Sequence, residues 1–217
     1  MRTDNREIKR IYGVKWTTLL CIAHVAAFSG WLTENGFRFF AAGKIDDRHQ
    51  ILPFISAYAF GILALFLCLG TPQKMRVFGK ECFPSWQALS KRKKWFYGGL
   101  YAVLTGVGIM LAELAVGVGL EKLFGIRAWT YVNVPLHITR YTSIPTTLGF
   151  SAGVTLFMAY GFPSLERAFD RVSDKALTVA ACLVTVLLLV DYGNTLAYAA
   201  ARGKFPTYWS VRIWKGI

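Results

Sequence analysis

Acidic residues are scarce in this chain, with 12 Asp and Glu against 25 Lys and Arg. Charge as a whole is thin at 17% of 217 residues. A soluble domain carries about a quarter, so an ordinary water-facing surface is excluded. The four cysteines, Cys21, Cys68, Cys82 and Cys182, share no C-x-x-C or comparable spacing, which argues against a zinc site or a thiol redox centre. Three of them sit inside apolar runs, where cysteine behaves as a small hydrophobe. No phosphate-binding loop, zinc-ligand spacing, nucleophile elbow or dinucleotide fingerprint occurs. No cofactor or metal is therefore expected, and no catalytic residue is assigned. If the chain serves an ATP-driven system, the ATPase is a separate chain. The formal charge of +13 would suit a nucleic-acid binder. Most of the cations, however, lie in short connections between apolar runs, and no stretch is long enough to fold as a soluble nucleic-acid domain.

What the sequence has in abundance is apolar residues, 54% of the chain, gathered into long runs. A spanning helix needs about 20 such residues. The runs predict an all-α, polytopic membrane helix bundle forming one domain over 1–217, with spans of about 16–36, 51–70, 96–120, 144–163 and 176–200. A short re-entrant or interfacial segment is expected near 125–143. Pro53 is placed in the first turn of the second span, and Gly70, Thr71 and Pro72 at its end. Pro163 is read as closing the fourth span, and Asp191, Gly193 and Asn194 as interrupting the fifth. His24 is expected to bond to a neighbouring helix. Phe83, Pro84 and Trp86 are expected to lie on the membrane surface. Small residues at four-residue spacing, Gly98, Ala102 and Gly106 and then Gly149 and Gly153, predict close helix approach, within the chain or in a homo-oligomer.

Five spans put the two termini on opposite sides. The N-terminal side holds 15 Lys and Arg and the other side 10. The positive-inside rule then places the N-terminus in the cytoplasm of a bacterial-type inner (cytoplasmic) membrane. The lipid bilayer is the first partner, with a separate ATPase or other membrane subunit as the second.

On this topology two polar clusters share the outer side. One runs from Glu34 to Pro53 and includes Arg38 and Arg48; the other runs from Glu113 to Pro145 and includes Arg127, Trp129, Tyr131, His137 and Arg140. Glu113 lies well inside an apolar run, and an ionisable residue there faces a bundle interior or a watered cavity. Glu34 and Arg38 stand four apart on one helix face. Arg48 and Arg140 have the planar fork that grips an anion, and His137 can carry a proton near neutral pH. Trp129 and Tyr131 serve as interfacial anchors, or as pocket walls if the loop folds back. Structural alternatives stand beside each assignment. Glu113 can simply pair with Arg127 or Arg140, Arg38 can satisfy Glu34, and the arginines can contact headgroups.

Several of these residues carry a resemblance. Gly30, Trp31 and Glu34, then Arg48, Leu52, Pro53, Tyr58 and Gly61, follow the pattern of the ABC-transporter permease family of the CmpB type. Glu113 and Gly117, then Phe124, Gly125, Arg127, Trp129 and Tyr131, then Pro135 and Leu136, continue it in the same order. The chain departs from the pattern at Thr130, His137 and Arg140, where the family has Asp, Asn and Gly. The resemblance implies transport, with a permease-like component binding a small molecule or lipid. A looser likeness to multi-helix carotenoid hydratases and cyclases leaves open an intramembrane enzyme acting on a lipid or isoprenoid. A scaffold subunit using its glycine faces is the third reading.

Overall fold

The computed structural model describes residues 9–77 and 79–214. Its helices are α1 (Trp16–Ala42), α2 (Ser56–Leu69), α3 (Lys91–Phe124), α4 (Ile144–Leu156), α5 (Phe162–Phe169) and α6 (Asp174–Arg202). A wide π turn, Phe157–Gly161, joins α4 to α5, so the two act as one rod. Counted this way, and with α2 carried on to Lys74 through the 3₁₀ turn Pro72–Lys74, five helical segments among the described residues are long and apolar enough to cross a membrane, as the apolar runs predict. The chain is an all-α, multi-pass membrane protein.

The connections hold structure that hydropathy does not announce. Among the described residues four two-stranded antiparallel ladders occur: β1 (Arg10–Ile11) with β2 (Val14–Lys15), β3 (Lys44–Asp46) with β8 (Ser210–Arg212), β4 (Arg76–Val77) with β5 (Lys80–Glu81), and β6 (His137–Thr139) with β7 (Thr142–Ser143). The β3–β8 ladder ties the C-terminal tail to the α1–α2 connection. At the opposite end Lys15 pairs with Asp174 at 2.7 Å, and the Tyr12 hydroxyl donates to the Leu67 carbonyl. One end of the bundle therefore carries residues 9–15, 70–77, 79–90 and 170–173. The other carries 43–55, 125–143 and 203–214.

The apolar core lies toward the first of these ends. Leu19, Ile22 and Ala26 of α1 meet Ile62 and Phe66 of α2, Tyr101 of α3, and Met158 and Phe162 of the α4–α5 rod. Phe66 and Phe162 stack with ring centroids 4.9 Å apart, and the buried Tyr101 hydroxyl donates to the Gly70 carbonyl at 2.9 Å. Phe83 does not lie on the surface. It is buried in this core between Trp86 and Tyr97, where the ring removes more apolar area from water than an interfacial position would.

Three further readings need correction. Helix α2 begins at Ser56, so Pro53 belongs to the connection and not to a first turn. The reason is that the Asp191 carboxylate accepts from the backbone N–H groups of Ile51 and Leu52, at 3.0 and 2.9 Å, which holds them outside the helix. The same bonds explain why α6 runs unbroken through Asp191, Gly193 and Asn194. A buried carboxylate satisfied by a neighbour's backbone needs no break in its own helix. Pro163 does not close the fourth helix either. The π turn before it absorbs the mismatch, and the Ala159 carbonyl, four residues back, accepts from the Gln73 side chain at 2.9 Å. Gly149 and Gly153, like Gly98, face open space, so the close approach within the chain does not use them. The close α3–α4 approach is made at Gly106, against Ser151, whose hydroxyl donates to the Ala102 carbonyl at 2.5 Å.

Asp191→Ala leaves two inward backbone donors without their acceptor. It should lower stability by about 1–3 kcal/mol, read as a drop in the thermal midpoint in detergent, while Asp191→Asn, which keeps one acceptor, falls less.

Candidate functional site

Helix α1 extends to Ala42 and ends on Gly43, whose φ of 61° turns the chain into β3. The last three turns of α1 therefore carry Glu34, Asn35 and Arg38 alongside the connection that follows. Glu34 does not pair with Arg38. Its carboxylate forms an ion pair with the Arg48 guanidinium and accepts from the Tyr58 hydroxyl of α2 at 3.2 Å. Arg38 instead meets Asp46 at 3.2 Å, and Lys44 meets the same oxygen at 3.1 Å.

Arg48 reaches Glu34 because its backbone is bent. Arg48 and His49 both have positive φ, 54° and 69°, a conformation that costs a non-glycine residue about 1–3 kcal/mol. Side chains on every side hold it there. Asp46 accepts from the Arg48 N–H at 3.3 Å, and Asp47 accepts from the His49 N–H at 2.9 Å. Thr195 of α6 donates to the His49 carbonyl at 2.7 Å. The tail closes over the same loop. Asp47 accepts from the N–H groups of Tyr208 and Trp209, His49 Nδ1 lies 2.8 Å from the Pro206 carbonyl, and Trp209 packs edge-on against Trp31.

On the other half of the bundle, Glu113 of α3 accepts from the Tyr131 hydroxyl at 2.9 Å. Neither Arg127 nor Arg140 comes to it. Both bond to Glu121, two turns further along α3, at 2.8 and 3.0 Å, and Tyr141 donates to the second oxygen of Glu121 at 2.6 Å. Arg127 and Arg140 are exposed, and as partners of a terminal carboxylate they pin the 125–143 connection to its helix. Trp129 supports this connection, its indole N–H donating to the Tyr141 carbonyl at 3.2 Å. His137 is exposed, with Nδ1 3.2 Å from the Val134 carbonyl. Arg127, Trp129, His137 and Arg140 thus all bond to partners other than Glu113.

Two tyrosine contacts depend on missing side chains. The Tyr58 ring lies across α1 at Gly30, one turn before Glu34, where any Cβ would overlap the ring. The Tyr141 ring lies across α3 at Gly117, one turn before Glu121, where a Cβ would stand 2.5 Å from the ring carbons. In each case a glycine four residues before a glutamate admits a ring whose hydroxyl reaches the carboxylate. Tyr141, Glu121, Asp46 and Asp47 are absent from the sequence reading of the site, although the G-x-x-x-E spacing marks both places.

Tyr131 lies in the field of both carboxylates. Burial, then the Glu113 carboxylate, lifts its phenol well above the usual range, and Glu34 contributes to the same rise from across the bundle. The charge pattern is uneven. Glu34 has Arg48, whereas Glu113 has a phenol on Oε1 and, among the described residues, no donor on its buried Oε2. Among the described residues no three of His, Cys, Asp and Glu gather in a metal-binding group.

Two outcomes test this geometry. Gly30→Ala and Gly117→Ala should each destabilise by about 1–3 kcal/mol through overpacking. Gly149→Ala, facing open space, should instead be neutral or stabilise by up to about 1 kcal/mol; detergent thermal midpoints distinguish them. Asp46 gives a pH signature. Burial raises its carboxyl, but the bond from Lys44 and the charges of Arg38 and Arg48 outweigh this and hold it below the usual range. A depressed folded-state value stabilises at pH above the unfolded value of about 3.9 and is lost as pH falls through the lower folded value. The acid limb of a midpoint-against-pH curve should therefore flatten below about pH 4 in Asp46→Asn relative to wild type.

No curated protein and no solved structure matches the chain. A family model described as "Putative ABC-transporter type IV" matches residues 21–196, a stretch that contains Glu34, Arg48, Tyr58, Glu113, Tyr131 and Asp191, and the chain belongs to that family.

Proposed function

We propose that the chain is a permease-like component of a transport system, and that Glu34, Tyr58, Tyr131 and Glu113 engage a small molecule or lipid. The observation that carries this is the asymmetry of the two carboxylates. Glu34 is neutralised by Arg48, while Glu113 faces the bundle with a phenol on one oxygen and no cation among the described residues. A ligand bearing a hydrogen-bond donor or positive charge complements Glu113, and an intramembrane carboxylate in this state marks a functional position by default. Tyr58 and Tyr131 then offer hydroxyl groups from two different elements to orient the ligand. Arg38, Arg48, Arg127, Trp129, His137 and Arg140 act here by holding the two connections in place.

The family supports a transport-system component. The excess of Lys and Arg on the N-terminal side, 15 against 10, supports a cytoplasmic N-terminus in a bacterial inner membrane, with the Glu34–Glu113 end outward. Energy from ATP would reach such a component through a separate ATPase subunit. A scaffold role is favoured by one observation, the open faces of Gly98, Gly149 and Gly153 on α3 and α4, which fit a partner helix or a second copy.

Native mass spectrometry of the protein released in mild detergent tests the first reading. Wild type should retain a small molecule or lipid that Glu113→Gln retains about ten- to hundredfold less, the equivalent of one charge-assisted bond, at an unchanged thermal midpoint. Equal retention in both, with uptake or efflux unaltered in cells carrying the variant, removes Glu113 from the function. Loss of a partner chain in Gly149→Leu but not in Glu113→Gln would transfer the assignment to the scaffold.

A further inference from the structure

Helix α3 has 34 residues and is therefore about 51 Å long. The hydrocarbon core of a bilayer is about 30 Å thick, so α3 projects beyond it. The projecting start is unusual in its charge. Lys91, Arg92, Lys93 and Lys94 occupy the first turn, which has no acidic residue. Cations there oppose the positive end of the helix dipole and repel one another. The described carboxylates at this end are engaged elsewhere. Lys15 takes Asp170 and Asp174, Arg76 takes Glu81, and Glu166 lies in the field of Lys74 and Arg10. Among the described residues no carboxylate pairs with any of the four.

The next two residues are equally out of place in water. Trp95 is 82% exposed and Phe96 63% exposed, while Tyr97, one step on, packs against the buried Phe83. Two large rings thus point away from the protein beside four cations that have no carboxylate partner among the described residues. That combination matches one environment, the boundary of an anionic leaflet, where aromatic rings sit at headgroup level and lysines and arginines reach the phosphates. An acidic protein surface would complement the cations but would have to supply a separate apolar pocket for the rings.

We propose that residues 91–96 form a docking surface for anionic phospholipid headgroups, with Lys91, Arg92, Lys93 and Lys94 on the phosphates and Trp95 and Phe96 in the headgroup–acyl boundary. The surface is independent of the Glu34–Glu113 cluster, which lies at the other end of the bundle.

The test reconstitutes the full chain with an equimolar mixture of phosphatidylglycerol and phosphatidylcholine, extracts it in mild detergent and counts retained lipids by native mass spectrometry. Wild type should favour phosphatidylglycerol by at least about tenfold, the preference shrinking as ionic strength rises above about 0.15 M. K91Q/R92Q/K93Q/K94Q should lose that preference. K91R/K93R/K94R should keep it, as should K122Q/K204Q, which removes cations from the opposite end. If the quadruple glutamine variant does not fold, K91Q/R92Q and K93Q/K94Q are read instead, each expected to lose part of the preference. The proposal is overturned if wild type shows no preference, or if the glutamine variants retain the wild-type ratio. Loss of a co-purifying acidic protein at an unchanged lipid ratio overturns it too.

Discussion

The carboxylate of Asp191 anchors the polar half of this protein. Within a bilayer a backbone N–H without an acceptor is costly, so a chain can leave its helix at membrane depth only where something else accepts its hydrogen bonds. Asp191 does this for Ile51 and Leu52, one oxygen to each. Thr195, one turn along the same helix, donates to the His49 carbonyl. Helix α6 thus fixes the α1–α2 connection from beneath, and the tail fixes it from above through Asp47. Held between the two, Arg48 keeps its left-handed backbone and its ion pair with Glu34.

A second construction recurs on both halves. Gly30 with Glu34, and Gly117 with Glu121, each place a bare turn of helix before a carboxylate, and Tyr58 and Tyr141 fill the two gaps. The ring replaces the missing side chain, and its hydroxyl satisfies the anion. This lets carboxylates stand near the ends of apolar helices without exposing the backbone beside them. Glu113 is the exception on α3. Its phenol comes from the connecting segment, and no ring covers its second oxygen, which stays buried without a donor among the described residues. Glu34, Asp46, Asp47, Glu121 and Asp191 each have both oxygens engaged, and Glu113 does not.

The two ends of the molecule are built differently. The core of Ile22, Phe66, Tyr101, Met158 and Phe162 packs the N-terminal half, with Phe83 folded in from the connection to close it. The basic turn of α3 and its exposed rings lie at the same end as this core. The polar half, built from loops, short ladders and a returning tail, has the fewer buried apolar contacts, and low-stability regions of that kind are where binding and motion are accommodated.

Hydropathy alone determined the five helical segments, their order and hence the alternation of connections between two ends, because a bilayer demands long apolar runs and tolerates little else. It also marked Glu34 and Glu113, since a carboxylate in such a run stands out against its neighbours. Partnerships were not legible. Arg38 stands four residues from Glu34 but goes to Asp46, and Arg127 and Arg140 go to Glu121 rather than Glu113. Charge pairing depends on where a connection folds, and these connections fold around bonds between distant segments, such as Asp47 with residues 208 and 209. The same holds for Pro163 and for Asp191. Local rules end or break a helix at each, but the Gln73 side chain and the Ile51 and Leu52 backbone, brought in by tertiary packing, remove the need.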